Sequence, residues 1–127
     1  MTIYRVFGDD VGATHLTRVD LPATEGGGLP GRLALRDIPV TTMNVTELEG
    51  RMPDRDLHAP PRRQLVVVLR GEMEITTTAG DQRRLRAGDG LVADDLGSKG
   101  HVTRDVGDAL LSTLAIGIDS RWELPGG

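Results

Sequence analysis

The feature that most constrains the fold of this chain is a two-residue alternation of side chains, interrupted at short intervals by glycine and aspartate. Gln64–Leu69 is an apolar run rich in β-branched residues, and Glu72–Thr78 alternates and is rich in threonine. Successive side chains of a β-strand point to opposite faces, so a period of two predicts strands. The sequence Ala79-Gly80-Asp81 then predicts a hairpin turn. No segment has a sustained amphipathic helix pattern, so we predict an all-β protein.

The same pattern extends over most of the chain and indicates about ten short strands, which is typical of an antiparallel sandwich or barrel. We predict that the segment Glu25–Pro30 is a flexible loop. The further predicted strands are Ile3–Phe7, His15–Leu21, Arg32–Ile38, Val40–Glu47, Gln82–Leu85, Leu91–Ala93, His101–Val106 and Ala109–Ile116.

Composition excludes several classes of function. The 127 residues fit one domain, and the net charge of −4 with scattered basic residues argues against a nucleic-acid partner. The absence of cysteine excludes disulfides, thiolate zinc sites and cysteine nucleophiles. No apolar run is long enough to cross a membrane, and the N-terminus lacks a secretion signal, so we expect a cytoplasmic protein with no membrane partner.

One sequence motif resembles the first motif of the cupin family, which runs Gly, five residues, His-x-His, three or four residues, Glu, six residues, Gly. His58 fits the first histidine, and Pro60 stands where the second belongs. Gln64 replaces the glutamate, and Gly71 fits the closing glycine. The opening glycine is out of register.

A second segment resembles the other cupin motif, which runs Gly, five residues, Pro-x-Gly, two residues, His, three residues, Asn. Gly88, Gly97 and His101 fit this pattern if one extra residue is allowed in each of two gaps. Asp95 stands in place of the proline, and Asp105 stands in place of the asparagine.

This resemblance implies a double-stranded β-helix (jelly-roll) cupin barrel formed by a single domain, residues 1–127, with its core at about 32–118. Within the family, the chain looks like the small single-domain bacterial cupins. The resemblance also implies a homodimer, and because a jelly roll leaves sheet edges that a partner can cover, we place Ile3–Phe7 at the edge that pairs.

The motif positions and the strand alternation together predict a pocket with aliphatic walls. The predicted catalytic residues are His58 or His101 as base, Gln64 as an orienting amide and Arg62 as a clamp for a substrate carboxylate or enolate. The side chains predicted to share this interior and to bind substrate are Val66, Val68, Thr103 and Asp105.

A metal is the alternative occupant of this pocket, because most cupins hold a divalent ion through three histidines and one glutamate. His58, Gln64 and His101 are the ligands that this chain offers. Two imidazoles and a neutral amide supply no anionic ligand, which disfavours tight binding. We therefore expect either no cofactor or a divalent metal, with Fe, Ni, Mn and Zn as the candidates.

Other polar residues have plainer interpretations. His15 matches no motif and is expected to be structural. Asp94 and Asp95 are adjacent on a predicted strand and should point apart, so we interpret them as loop residues that close turns around Gly97. Glu72 and Glu74 share a strand face that we expect to be exposed to solvent.

Three functions remain open at this point. The first is an enzyme that isomerises, cyclises, dehydrates or decarboxylates a small organic or polyketide-like metabolite without redox chemistry. Some cupins with degraded metal motifs resemble this case and act in secondary metabolism. The second is a cupin that binds a small molecule without turnover, and the third is a metal-dependent dioxygenase that uses His58, Gln64 and His101.

Overall fold

The computed structural model describes residues 1–20, 25–26, 29–32, 35, 37–48, 62–107 and 110–124, and it is all-β, as predicted. No helix among these residues is long and apolar enough to span a membrane. The strands are β1 Ile3–Gly8, β2 Thr14–Val19, β3 Glu25–Gly26, β4 Leu29–Arg32, β5 Val40–Leu48, β6 Gln64–Arg70, β7 Glu72–Thr77, β8 Gln82–Arg86, β9 Gly90–Asp94, β10 His101–Asp105 and β11 Leu111–Ile118.

The larger sheet has six strands in the order β2-β1-β9-β6-β11-β5. Its neighbours are antiparallel except for β1 and β9, which run parallel with Tyr4 opposite Leu91. β1 therefore lies inside the sheet, between β2 and β9. The prediction that Ile3–Phe7 forms a sheet edge is wrong, because the strand that pairs with β1 on its second side comes from the far end of the sequence.

The smaller sheet has three strands in the order β10-β7-β8, all antiparallel. Its inward face carries Met73, Ile75 and Leu85, which pack with Val6 and Val68 of the larger sheet in one buried cluster. Burial of each large side chain in this cluster stabilises the fold by about 1.5–3 kcal/mol. Two sheets packed face to face fit a jelly roll, although they do not join into a closed barrel.

A second apolar cluster covers the opposite face of the six-stranded sheet. Leu65 and Val92 point to this face, where Ile118, Leu124 and Trp122 from the C-terminal end of the described chain pack against them. The central strands β6 and β9 are thus buried on both sides, which explains why Gln64–Leu69 reads as a continuous apolar run rather than a strict alternation.

Two local predictions near the N-terminus are wrong. Glu25–Pro30 is not simply a loop, because β3 and β4 pair there as a two-stranded antiparallel sheet. The predicted strand Arg32–Ile38 is wrong at its described positions after Arg32, since Leu35 and residues 37–39 lie outside any strand. Asp37 has a φ of 53°, a left-handed backbone conformation that is incompatible with a β-strand.

Candidate functional site

The most distinctive polar contact of the interior joins His101, the first residue of β10, to Asp95, the residue after β9. Nδ1 of His101 lies 2.6 Å from Oδ2 of Asp95. His101 is 8% exposed and Asp95 is fully buried at 0%. His101 stands opposite Thr77, and Thr103, two residues further along β10, stands opposite buried Ile75. Both β10 residues therefore share one face, and the His101 ring lies on the inward face of the three-stranded sheet.

The loop between Asp95 and His101 is folded by its own hydrogen bonds. The backbone N–H and the hydroxyl of Ser98 both donate to the carbonyl oxygen of Asp95. The N–H of Gly100 donates to the Ser98 hydroxyl at 3.0 Å, and Thr14 of β2 donates its hydroxyl to the Gly100 carbonyl at 2.8 Å. These bonds turn the chain from one sheet to the other, which places the carboxylate beside the imidazole.

The Asp95 carboxylate depends strongly on His101. Its second oxygen, Oδ1, is buried and has no hydrogen-bond partner among the described residues. Because a buried carboxylate without partners is costly, the imidazole N–H is the group that compensates Asp95. A carboxylate only accepts hydrogen bonds, so Nδ1 of His101 is the donor in this contact.

Gln64 lies on the sheet wall next to this pair. It is half-buried and stands opposite Ala93, the last residue but one of β9. The predicted orienting amide therefore lies beside the end of β9 from which Asp95 follows.

Two predicted pocket residues have surroundings that differ from the prediction. Arg62 precedes β6 and is exposed, and its Nη1 donates to the Thr42 hydroxyl at 2.9 Å. Its role as a clamp stays a prediction. Val68 is 1% exposed and packed inside the core, so it contributes to the core rather than to an open cavity wall, whereas Val66 is half-buried beside it.

Of the remaining predicted residues, two lie on the inward face and one lies outside the described part of the chain. Thr103 is half-buried opposite Ile75, and Asp105 is buried opposite Met73, so both share the inward face with His101. His58 lies outside the described residues, and its role stays a prediction.

The described residues do not fit a metal centre. No group of three or more His, Cys, Asp or Glu side chains that could hold an ion occurs among them. Within the predicted ligand set, Gln64 supplies only a neutral amide and Nδ1 of His101 is taken by Asp95.

The interpretation of Asp94 and Asp95 as turn-closing residues is wrong, although they do point apart as predicted. The side chain of Asp94 is 9% exposed and accepts hydrogen bonds from Arg5, at 2.8 Å, and from Arg63. The alternation along a strand gave their directions but not the partners of Asp94, because Arg5 lies on β1 and Arg63 lies just before β6. Asp95 is the main site residue that the sequence interpretation missed.

A large cleft lies near Asp94, on the side of the six-stranded sheet opposite His101. Its volume is about 1100 Å³, and Arg5, Arg63 and Asp94 line one wall. Nη1 of Arg63 also donates to the Trp122 carbonyl, and its guanidinium carbon lies 5.6 Å from the centre of the Trp122 ring. This cleft is therefore separate from the His101–Asp95 pair.

Comparisons with known proteins leave the family open. No model of a known protein family matches the chain, and no curated protein matches it. Among solved structures, protein NMB1881 from Neisseria meningitidis is similar over 65% of this chain and 84% of that chain, with 16% sequence identity and a TM-score of 0.44. A likeness at this level establishes neither a shared fold nor a shared function.

Proposed function

We propose that this protein is a small cupin-like enzyme that uses His101 as a general base, and then as a general acid, on a small organic or polyketide-like metabolite. The reaction is an isomerisation, cyclisation, dehydration or decarboxylation without net redox change. The observation that carries this proposal is the buried contact of 2.6 Å between His101 and Asp95 on the inward face of β10.

The pair suits proton transfer for a physical reason. With its Nδ1 proton held by Asp95, the imidazole accepts a proton at Nε2 from an acidic C–H or O–H group. The carboxylate stabilises the imidazolium that forms, and the same ring returns the proton to another position or to a leaving group. Gln64, on the adjacent wall, supplies an amide N–H for the developing oxyanion.

Hydrogen–deuterium exchange in D2O tests this function, because it detects proton abstraction whatever product is formed. A panel of small ketones and β-keto esters is incubated with the protein, and NMR follows the loss of the C–H signal. We expect faster exchange than in buffer for at least one compound. His101→Gln should reduce the enzymatic rate by about 100-fold or more, and Asp95→Asn should reduce it because the amide no longer fixes the tautomer.

His15→Gln is the matched control, because His15 also contacts a carboxylate, that of Asp9 at 2.8 Å, but on the exposed surface. It should retain the full rate. Thermal melting verifies that each variant is folded. Undiminished exchange in a folded His101→Gln variant, or no acceleration across the whole panel, would exclude the proposed role of His101. The cytoplasmic location, the role of His58 and the homodimer remain predictions from the sequence.

A further inference from the structure

We infer that the cleft on the opposite face of the sheet is a second binding site, which takes a monoanionic organic carboxylate with an apolar body. We call it the arginine cleft, because four of its lining residues are arginines. They are Arg5, Arg62, Arg63 and Arg121. The site is independent of the His101–Asp95 pair and of the proposed reaction.

The charges of the arginine cleft favour a single negative charge. Besides four arginines, the described part of its lining includes the three acids Asp94, Asp119 and Glu123, so these seven residues sum to +1, in a chain whose total is −4. An anion is thus attracted locally by a protein that repels it overall. Three carboxylates in the same lining disfavour a ligand with several negative charges, such as a polyphosphate.

Most of the charged side chains in the arginine cleft already form ion pairs with one another. The arginine that does not is the group that we expect to contact the ligand. Arg5 and Arg63 hold Asp94, and Arg121 holds Asp119 at 3.0 Å. Among the described residues, Arg62 has no ion-pair partner, and its Nη1 contacts only the neutral hydroxyl of Thr42, at 2.9 Å. Its exposed, planar guanidinium is therefore available to form a bidentate hydrogen bond with a ligand carboxylate.

The rest of the lining favours an apolar body on the ligand. Ile118, Leu124 and Leu96 present aliphatic groups, and Trp122 presents an aromatic ring. The cleft volume of about 1100 Å³ admits a small molecule. An organic acid matches both the charged and the apolar residues of this lining. Its carboxylate contacts Arg62, and its apolar part packs against Trp122.

Benzoate is the probe for this site, and Trp122 is the reporter because it is the only tryptophan of the chain. In a ¹⁵N-labelled sample, the single indole N–H signal should shift saturably with benzoate at millimolar concentration. Benzyl alcohol, which keeps the ring and lacks the charge, should bind at least about tenfold more weakly. Inorganic phosphate, which lacks the apolar body, should also bind more weakly.

Two substitutions locate the interaction. Arg62→Gln should weaken benzoate binding by about tenfold, because a charge-assisted pair is lost. Arg83→Gln removes an exposed arginine from the other sheet and should leave binding unchanged. Arg62 is exposed, so both variants should fold, which thermal melting verifies. The inference is overturned if the indole signal does not move, if benzyl alcohol or phosphate binds as tightly as benzoate, or if the two variants bind benzoate equally.

Discussion

Asp94 and Asp95 are neighbours in sequence, yet their carboxylates serve opposite sides of one sheet. Asp94 binds the guanidinium groups of Arg5 and Arg63, whereas Asp95 binds the imidazole of His101. The period of a strand predicts this divergence, because consecutive side chains point to opposite faces. The arginine partners of Asp94 were not predictable, since Arg5 and Arg63 are distant in sequence and meet β9 only through the tertiary fold. His101, in contrast, follows Asp95 by only six residues.

Glu74 is a second residue whose partners could not be predicted from its own strand. We expected it to be exposed to solvent. It is 8% exposed and stands directly opposite Arg104 on one neighbouring strand and Arg84 on the other. The Arg104 guanidinium bonds its carboxylate, and Nε of Arg84 lies 3.7 Å away. Both arginines come from neighbouring strands, so alternation within a single strand cannot reveal them.

Asp119 gives a prediction at this scale for the dependence of stability on pH. Hydrogen bonds from Arg121 lower the pKa of the Asp119 carboxyl to about 2 from an ordinary value of 3.8. Because the folded-state pKa is the lower one, the stabilisation is present above pH 3.8 and is lost as the pH falls toward 2. Carboxyl ¹³C NMR should show Asp119 titrating near 2 in the wild type.

Arg121→Gln is the variant that checks the cause of this shift. Without the guanidinium, the pKa of Asp119 should move back toward 3.8. The adjacent backbone N–H of residue 121 still donates to Oδ1 at 2.8 Å, so the return should be incomplete. An unchanged titration in the variant would contradict the assignment of the shift to Arg121.

At the scale of the element, the hairpin turns explain why the strand positions were predictable. The turns after β6 and β7 contain Gly71 and Gly80, with φ angles of 81° and 92°. Glycine adopts such angles without steric penalty, so glycine in a strand pattern marks where a strand ends. Leu35 and residues 37–39 lack this local signal, and there the sequence interpretation failed.

The same two glycines allow a matched test of packing at a turn. A Cβ at Gly71 would lie 2.6 Å from the backbone oxygen of Leu110, whereas a Cβ at Gly80 would meet nothing within 4 Å. Both alanine variants incur the cost of a positive φ, about 1–2 kcal/mol. Gly71→Ala should therefore lower the free energy of unfolding by about 1–3 kcal/mol more than Gly80→Ala, as measured by urea denaturation. Equal losses would show that the contact with Leu110 is relieved by a small shift.

At the scale of the whole molecule, β5 is the strand best suited to the predicted homodimer. It forms one edge of the six-stranded sheet, and Met43 and Val45 on it are 60% and 66% exposed. Two copies that pair antiparallel about Asn44 would place Met43 of each opposite Val45 of the other, a self-complementary contact of the kind a two-fold dimer requires.

Light scattering measures the consequence of this arrangement. We expect the wild type at twice its monomer mass of 13.6 kDa. Val45→Lys should shift the protein toward monomer by charging the shared edge. Val11→Lys is the control, because Val11 is 78% exposed in the turn between β1 and β2. A monomeric wild type would refute the dimer, and a dimeric Val45→Lys variant would refute the role of β5.

The sequence patterns predicted the fold class and most strands, but not the sheet order. Alternation and turn residues are local signals, so they placed β6, β7 and β8 correctly. The parallel contact of Tyr4 with Leu91 joins residues far apart in sequence, and nothing local in Ile3–Phe7 indicates it. For the same reason, the motifs identified His101 but not the large cleft, whose walls come from several separate segments.

The parallel contact between β1 and β9 also sets an order of events during synthesis. Arg5 and Asp94, which it brings together, are separated by 89 positions. A newly made chain can form the β1–β2 hairpin early. The edge of β1 that pairs with β9 stays unpaired until most of the protein has left the ribosome. Closing so long a loop is slow on the scale of local hairpins. Until then, β1 presents an unsatisfied backbone edge, so the nascent chain is most prone to aggregate before β9 has emerged.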